Sequence, residues 1–286
     1  MTAVNPTPVA AVRVPAAGLR HQVRAATVVW QREMIRFSRD RSRIVSSLVQ
    51  PVLFLFVLGS GLASLVSSGD VDFRTFLFPG VLATSVLFTA AFSGISMVWD
   101  REFGFLREML VAPVSTTAIL TGKCLGGATV ATLQSLIILL LAGLVGVPYD
   151  PVMMVELVGL LFLMAFMICA LGLFLSARIK QVQSAMPLVQ LTITPLMFLS
   201  GSLFPLSNLP GWLHVATILN PMTYAVQPIR STVFDHLDLS PAAQATFDPG
   251  ITWGGWHIPV PLQVAIVAAA CLVLLGLAVA RFARNE

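Results

Sequence analysis

Charge is what this sequence has least of. Acidic and basic residues fill 10% of its 286 positions, and none falls between residues 181 and 229. A soluble domain carries about 25% charged residues, so a water-facing fold is excluded for most of the chain. Cysteine is scarce too. Cys124, Cys169 and Cys271 each fall in an apolar run without a pairing motif and read as small packing residues. The four histidines (His21, His214, His236 and His257) form no H-E-x-x-H, and Gly94-Ile-Ser96 is followed by Met97, which breaks G-x-S-x-G. A phosphate-binding loop is missing as well: Gly122-Lys123 runs into Cys124, and Thr117 stands where the first glycine belongs. The chain therefore has no ATP site of that kind, and no cofactor or metal site is expected in it.

Six long apolar runs dominate instead, at about 44–67, 76–98, 118–146, 152–176, 184–204 and 259–280. Each approaches or exceeds the ~20 residues a membrane-crossing helix needs. Six crossings put both ends on one face. Counted that way, the basic residues fall eight in the N-terminal arm, three in the second connection and the start of the third run, two in the fourth connection and two at the tail. Fifteen of seventeen share one side, leaving Arg74 and Arg230 on the other. This bias marks the shared side as cytoplasmic. The net charge of +4 then belongs beside lipid headgroups, and no nucleic-acid partner is expected. The expectation is an all-α polytopic protein of the inner membrane.

The first run begins only after a 43-residue arm, so no cleavable signal is expected. Residues 1–18 read as a disordered tail. Over 19–43 an amphipathic interfacial helix is expected. Leu19, Val23, Ala26, Trp30, Met34 and Phe37 fall on one face, and Arg20, Arg24, Arg32, Arg36 and Arg39 point elsewhere. Residues 44–286 form the membrane domain.

Between the second and third runs, Asp100, Arg101, Glu102, Arg107 and Glu108 place five charges in nine residues, too many for a lipid-exposed stretch. Phe103, Leu106 and Leu110 nevertheless share a helix face. Pro113 closes the segment, and Ser115 can cap the next helix. Either that apolar face folds back on the membrane domain or it docks into another protein.

The string Arg-Glu-Phe-Gly-Phe-Leu-Arg-Glu-Met-Leu-Val-Ala-Pro at 101–113 resembles the cytoplasmic loop of ABC-2 type permeases, the membrane subunits of ATP-binding-cassette exporters. The run Leu199-Ser-Gly-Ser-Leu-Phe-Pro205, then Leu209-Pro-Gly-Trp212, Leu219-Asn-Pro-Met-Thr-Tyr224 and Arg230, is similar to that family's pattern after the fifth span. The likeness covers about residues 19–286 and is nearest the daunorubicin-resistance-type subgroup. It implies the ABC-2 (type V exporter) fold, with a re-entrant helix pair near Pro205, Trp212, Asn220, Pro221 and Tyr224. It also implies that 101–113 is a coupling helix, with Arg101, Glu102, Phe103, Gly104, Leu106, Arg107 and Leu110 meeting an ATP-binding subunit. There Glu102 and Arg107 would form rim ion pairs, and Phe103 and Leu106 would be anchors. ATP and Mg would sit on that partner. A second permease, identical or related, and membrane lipid complete the expected set of partners.

The outer stretch 205–229 is apolar enough to cross the membrane, but prolines at 205, 210, 221 and 228 favour two short helices broken near Asn220-Pro221. Thr84, Ser85, Thr89 and Ser93 in the second run, with Gln190, Thr194 and Ser200 in the fifth, read either as interhelical packing or as a polar conduit. Apart from Glu156, near the outer end of the fourth run, no charge is expected inside the spans. Together these readings give an exporter subunit for a hydrophobic or amphipathic drug or lipid, with multidrug efflux, antibiotic resistance and lipid transport as candidate roles. An ion-coupled secondary transporter and an intramembrane enzyme of lipid metabolism are the alternatives.

Overall fold

The computed structural model describes residues 18–63, 73–105, 114–206, 209–237, 240, 244 and 247–284. The expected disordered tail lies almost wholly outside these residues, as do Leu106, Arg107 and Leu110.

α1 (Leu19–Arg39) stops at Asp40, and the chain restarts as α2 (Arg41–Leu53), so the expected 19–43 helix is divided. Pro51 has no amide to donate within α2. The ladder re-forms downstream as a π-helical turn (Phe54–Leu58), closed by the Gly59 amide on Phe54 O, and continues into α3 (Gly59–Ala63). α4 (Phe73–Glu102) is one unbroken helix of 30 residues. At 1.5 Å per residue it is about 45 Å long, more than the ~30 Å hydrocarbon core, so one end must project beyond it.

α5 (Thr116–Leu139) starts at Ser115, whose hydroxyl accepts from the Ala118 amide at 3.2 Å. The third apolar run does not stay helical to its end: it closes in a 3-10 turn (Ala142–Val145) ended by Gly146 in the left-handed conformation. α6 (Pro151–Ser176) begins at Asp150, whose carboxylate accepts from Val152 N and Met153 N at 2.8 and 3.0 Å. α7 (Val182–Phe198) comes next, then α8 (Gly211–Leu219) and α9 (Pro221–Asp235), a two-residue hairpin of β1 (Thr252–Trp253) with β2 (Trp256–His257), and α10 (Val260–Ala283).

Among the described residues, five helical segments are long and apolar enough to cross a membrane: Ile44–Gly61, α4, α5, α6 and α10. α7, the counterpart of the fifth apolar run, has 17 residues, at the short end of the spanning range. α4 and α5 are mostly buried, whereas the first and last of these segments leave most of their apolar surface uncovered, as lipid-facing helices do. α4 packs on α6 through small residues. A Cβ added at Gly94 would lie 2.6 Å from the Gly172 Cα, so the backbones touch where no side chain intervenes.

Candidate functional site

α4 carries the chemistry. A cavity of about 480 Å³ opens between this helix and the α1–α2 arm, within the usual range for small-molecule sites. Thr84, Ser85, Thr89 and Ser93 line one wall, and Phe54, Phe88 and Phe92 supply apolar faces. Thr84, Ser85 and Ser93 donate their hydroxyl protons to Val81 O, Leu82 O and Thr89 O at 2.8–3.0 Å. Their oxygen lone pairs remain available as acceptors. α7 contributes Met186 and Met197 to the lining. Gln190 and Thr194 are placed elsewhere: they bond each other on the more exposed side of α7, with Gln190 Nε2 donating to Thr194 Oγ1 at 3.1 Å. Ser200 is buried and donates to Met197 O at 2.7 Å.

Beside the cavity, toward the Glu102 end of α4, sits a group of charges drawn from three helices. Lys123 of α5, its side chain 1% exposed, lies 2.5 Å from Asp100 Oδ2 and 3.2 Å from Glu33 Oε1. Its ammonium also donates to Ser96 Oγ at 3.0 Å. Arg32 of α1 reaches the same Asp100 oxygen at 2.5 Å. Burial alone would lower the Arg32 pKa, but the Asp100 and Glu33 carboxylates hold it above its ordinary value. Two cations and two carboxylates therefore balance. This corrects the expectation that the spans hold no charge besides Glu156: Lys123 is a buried charge inside α5, and Glu156 is exposed on α6. The signal was in the sequence, since Lys123 is the one lysine inside an apolar run.

α1 is also held differently than its apolar stripe implied. Trp30 Nε1 donates to Thr129 Oγ1 on α5 at 3.1 Å, and Val29 is buried, while Leu19 and Val23 are exposed. Gly122 and Gly126 form the groove: a Cβ on either would fall within 3 Å of Ala26, Val29 or Glu33 atoms. The helix packs on protein along Ala26, Val29, Trp30 and Glu33.

Of the expected coupling residues, Phe103 is 62% exposed and lies 5.7 Å, ring to ring, from Trp99; Phe105 is also exposed. Arg101, partly buried, and Glu102, exposed, both bond back to the chain. Arg101 donates to Ile179 O at 2.7 Å and Ala177 O at 3.1 Å, and Glu102 Oε2 accepts from Val182 N at 2.8 Å. Gly104 has φ of 83° and closes the helix.

At the far end, Asn220 divides α8 from α9. Its carbonyl oxygen accepts from Met222 N at 3.0 Å, its amide donates to Leu196 O at 2.8 Å, and Pro221 occupies the first helical position. Tyr224 is buried and donates to Ile218 O at 2.8 Å, Pro205 is partly buried, and Trp212 is 73% exposed. Arg230, expected in an outer loop, is instead fully buried on α9. It donates to Gly201 O at 2.5 Å and its guanidinium lies 4.8 Å from the Phe76 ring centroid. Burial pulls its pKa down to about 10, a drop partly offset by Asp248. Burial raises Asp248 in turn, although Arg230 and a bond from Gln227 work against the rise.

Residues 24–234 match the family described as ABC-2 type transporter. The chain is 27% identical over 208 residues to the transport permease ycf38 of Cyanophora paradoxa, covering 71% of this chain and 72% of the relative. It is 28% identical over 229 residues to Nodulation protein J of Rhizobium leguminosarum bv. viciae, covering 77% and 84%.

Proposed function

The chain belongs to the ABC-2 type transporter family, a family of multi-pass transport permeases working with an ATP-binding subunit, and from that premise we propose that it is the permease of an ATP-driven exporter. In this reading a hydrophobic or amphipathic substrate leaves across the cytoplasmic membrane of a bacterium. A second permease, identical or related, completes the unit, and ATP and Mg are bound by the partner alone. Six helices cross the bilayer with α7 as the fifth, both termini are cytoplasmic, and α8 with the start of α9 dips into the outer leaflet.

The observation that carries the reading is the continuity of α4. One helix lines the cavity with Thr84, Ser85, Thr89 and Ser93, then delivers exposed Phe103 and Phe105 to the segment that resembles a coupling helix. Hydroxyl acceptors beside phenylalanine faces suit a ligand with an uncharged donor-bearing head and an apolar body. The buried charges do not favour ion coupling. Asp100 and Glu33 are both engaged by cations, so neither offers a free carboxylate to a passing ion.

The test is purification with the ATP-binding subunit and measurement of ATP hydrolysis across a panel of lipids and drugs. No stimulation by any amphiphile would sink the substrate class. Replacing Phe103 and Leu106 by Asp puts unpaired charge into a desolvated contact, a loss of about 2–5 kcal/mol in all, so affinity for the ATPase should fall roughly thirtyfold or more. Single cysteines at Arg74 and Asp238 should label from outside; labelling only from the cytoplasm refutes the orientation.

A further inference from the structure

Each of the three consecutive residues that end α4 reaches a different part of the chain. Asp100 accepts from Lys123 of α5 and Arg32 of α1. Arg101 points the other way and donates to Ala177 O and Ile179 O, just past the last turn of α6. Helix C-termini leave carbonyls without partners, and a cation satisfies them and the local dipole. The same guanidinium lies 5.1 Å from the centroid of the Phe282 ring on α10. Glu102 takes the amide of Val182, one of the first-turn donors of α7 that have no intrahelical acceptor. Neighbouring residues on a helix diverge by 100°, which is how one short stretch grips in three directions.

Immediately afterwards the chain changes character. The Phe103 and Gly104 amides close on Trp99 O and Arg101 O, Gly104 adopts positive φ, and Phe103 and Phe105 are exposed. The grip therefore sits between the exposed aromatics and the body of the bundle. Its contacts run from the buried Asp100–Lys123 pair through the part-buried Arg101 bonds to the exposed bond between Glu102 and the Val182 amide, and all three fix helix ends or buried charge.

We propose that Asp100, Arg101 and Glu102 are positioning residues that distribute movement of the segment beyond Gly104 into α1, α5, α6, α7 and α10, each through its own contact. The proposal rests on the exporter reading, because it needs an ATPase to move that segment. It assigns Glu102 to the start of α7, where the family resemblance implies a charged contact with the ATPase. The two assignments separate cleanly. Glu102→Gln keeps an oxygen that can accept from Val182 N but loses the charge, and Glu102→Ala loses both.

The experiment uses the chain co-purified with its ATPase, spin-labelled at exposed Leu191 of α7 and Leu272 of α10. Pulsed electron resonance reads the intrachain distance without nucleotide and with Mg-ATP and vanadate. In the wild type, vanadate trapping shifts the distance. Glu102→Ala is expected to cut the shift by more than half and Glu102→Gln to retain it, both with the ATPase still bound. Arg101→Gln, which frees the end of α6, should cut the shift likewise, and stands in if Glu102→Ala fails to insert. A full shift in Glu102→Ala and Arg101→Gln overturns the proposal. So does a Glu102→Gln variant that loses as much as Glu102→Ala and releases the ATPase, since Glu102 is then a charged contact with the partner. A wild-type chain that captures no ATPase overturns the exporter reading and this proposal with it.

Discussion

The two ends of the helical bundle bury their cations by different means. At the end where α4 finishes, Lys123 and Arg32 face Asp100 and Glu33, so opposite full charges from α1, α4 and α5 meet within 2.5–3.4 Å. At the other end Arg230 has a carbonyl and an aromatic face. Among the described residues no carboxylate lies within ion-pair distance of it, and its Nε and Nη1 make no hydrogen bond. The four-charge arrangement is mutual: take away Asp100 and the buried Lys123 keeps only a partner it must share with Arg32. The Arg230 arrangement is looser, because a ring and a carbonyl lose little when the cation leaves and Asp248 interacts with it only from beyond ion-pair distance. Structural interdependence is therefore concentrated at the end from which Phe103 and Phe105 are exposed.

Asp100→Asn should produce the largest effect. It leaves Lys123 and Arg32 to share Glu33, and breaking such a buried pair costs about 3–5 kcal/mol. The thermal midpoint of the purified protein should drop sharply, and adding Lys123→Met should recover part of the loss. An unchanged midpoint breaks the comparison. Gly94→Val tests the α4–α6 contact, where packing alone operates. Its side chain would meet the Gly172 backbone, costing about 1–3 kcal/mol, and the loss should not depend on salt. At the far end Arg230→Met should cost about 1–2 kcal/mol, the scale of one hydrogen bond and one cation–π contact. If the midpoint falls further for Arg230→Met than for Asp100→Asn, the ranking of the two ends is reversed. Asn220→Ala should be mildest. Loss of a cap costs about 1 kcal/mol, read as faster hydrogen exchange confined to the first turn of α9.

Helix starts were the most legible features. Asp150-Pro151 and Asn220-Pro221 use one grammar, a side-chain acceptor followed by proline at the first helical position, and both begin helices as that grammar requires. Ser115 obeys it in part. The inward face of α1 was legible only in part: Ala26 and Trp30 lie on its apolar stripe, but Val29 and Glu33 do not. Its own apolar stripe runs through Leu19 and Val23, but the groove that receives it is made by Gly122 and Gly126, on another helix and invisible to any periodicity of α1. The cavity wall on α4 was readable as a row of hydroxyls. Nothing in Gln190 or Thr194 told that α7 would turn them away and present Met186 and Met197 instead.

The sequence by itself determined where apolar helices run and where they begin, because hydrophobicity, proline and capping act within a few residues of one another. Only the tertiary structure decided which charges meet. Glu33 lies 90 positions from Lys123, and Arg101 lies 78 from the carbonyl it holds. Such partners are selected by how helices pack, and packing depends on the small residues of several helices at once. Arg32, counted in the sequence as one more basic residue of the arm, became part of a buried network for that reason.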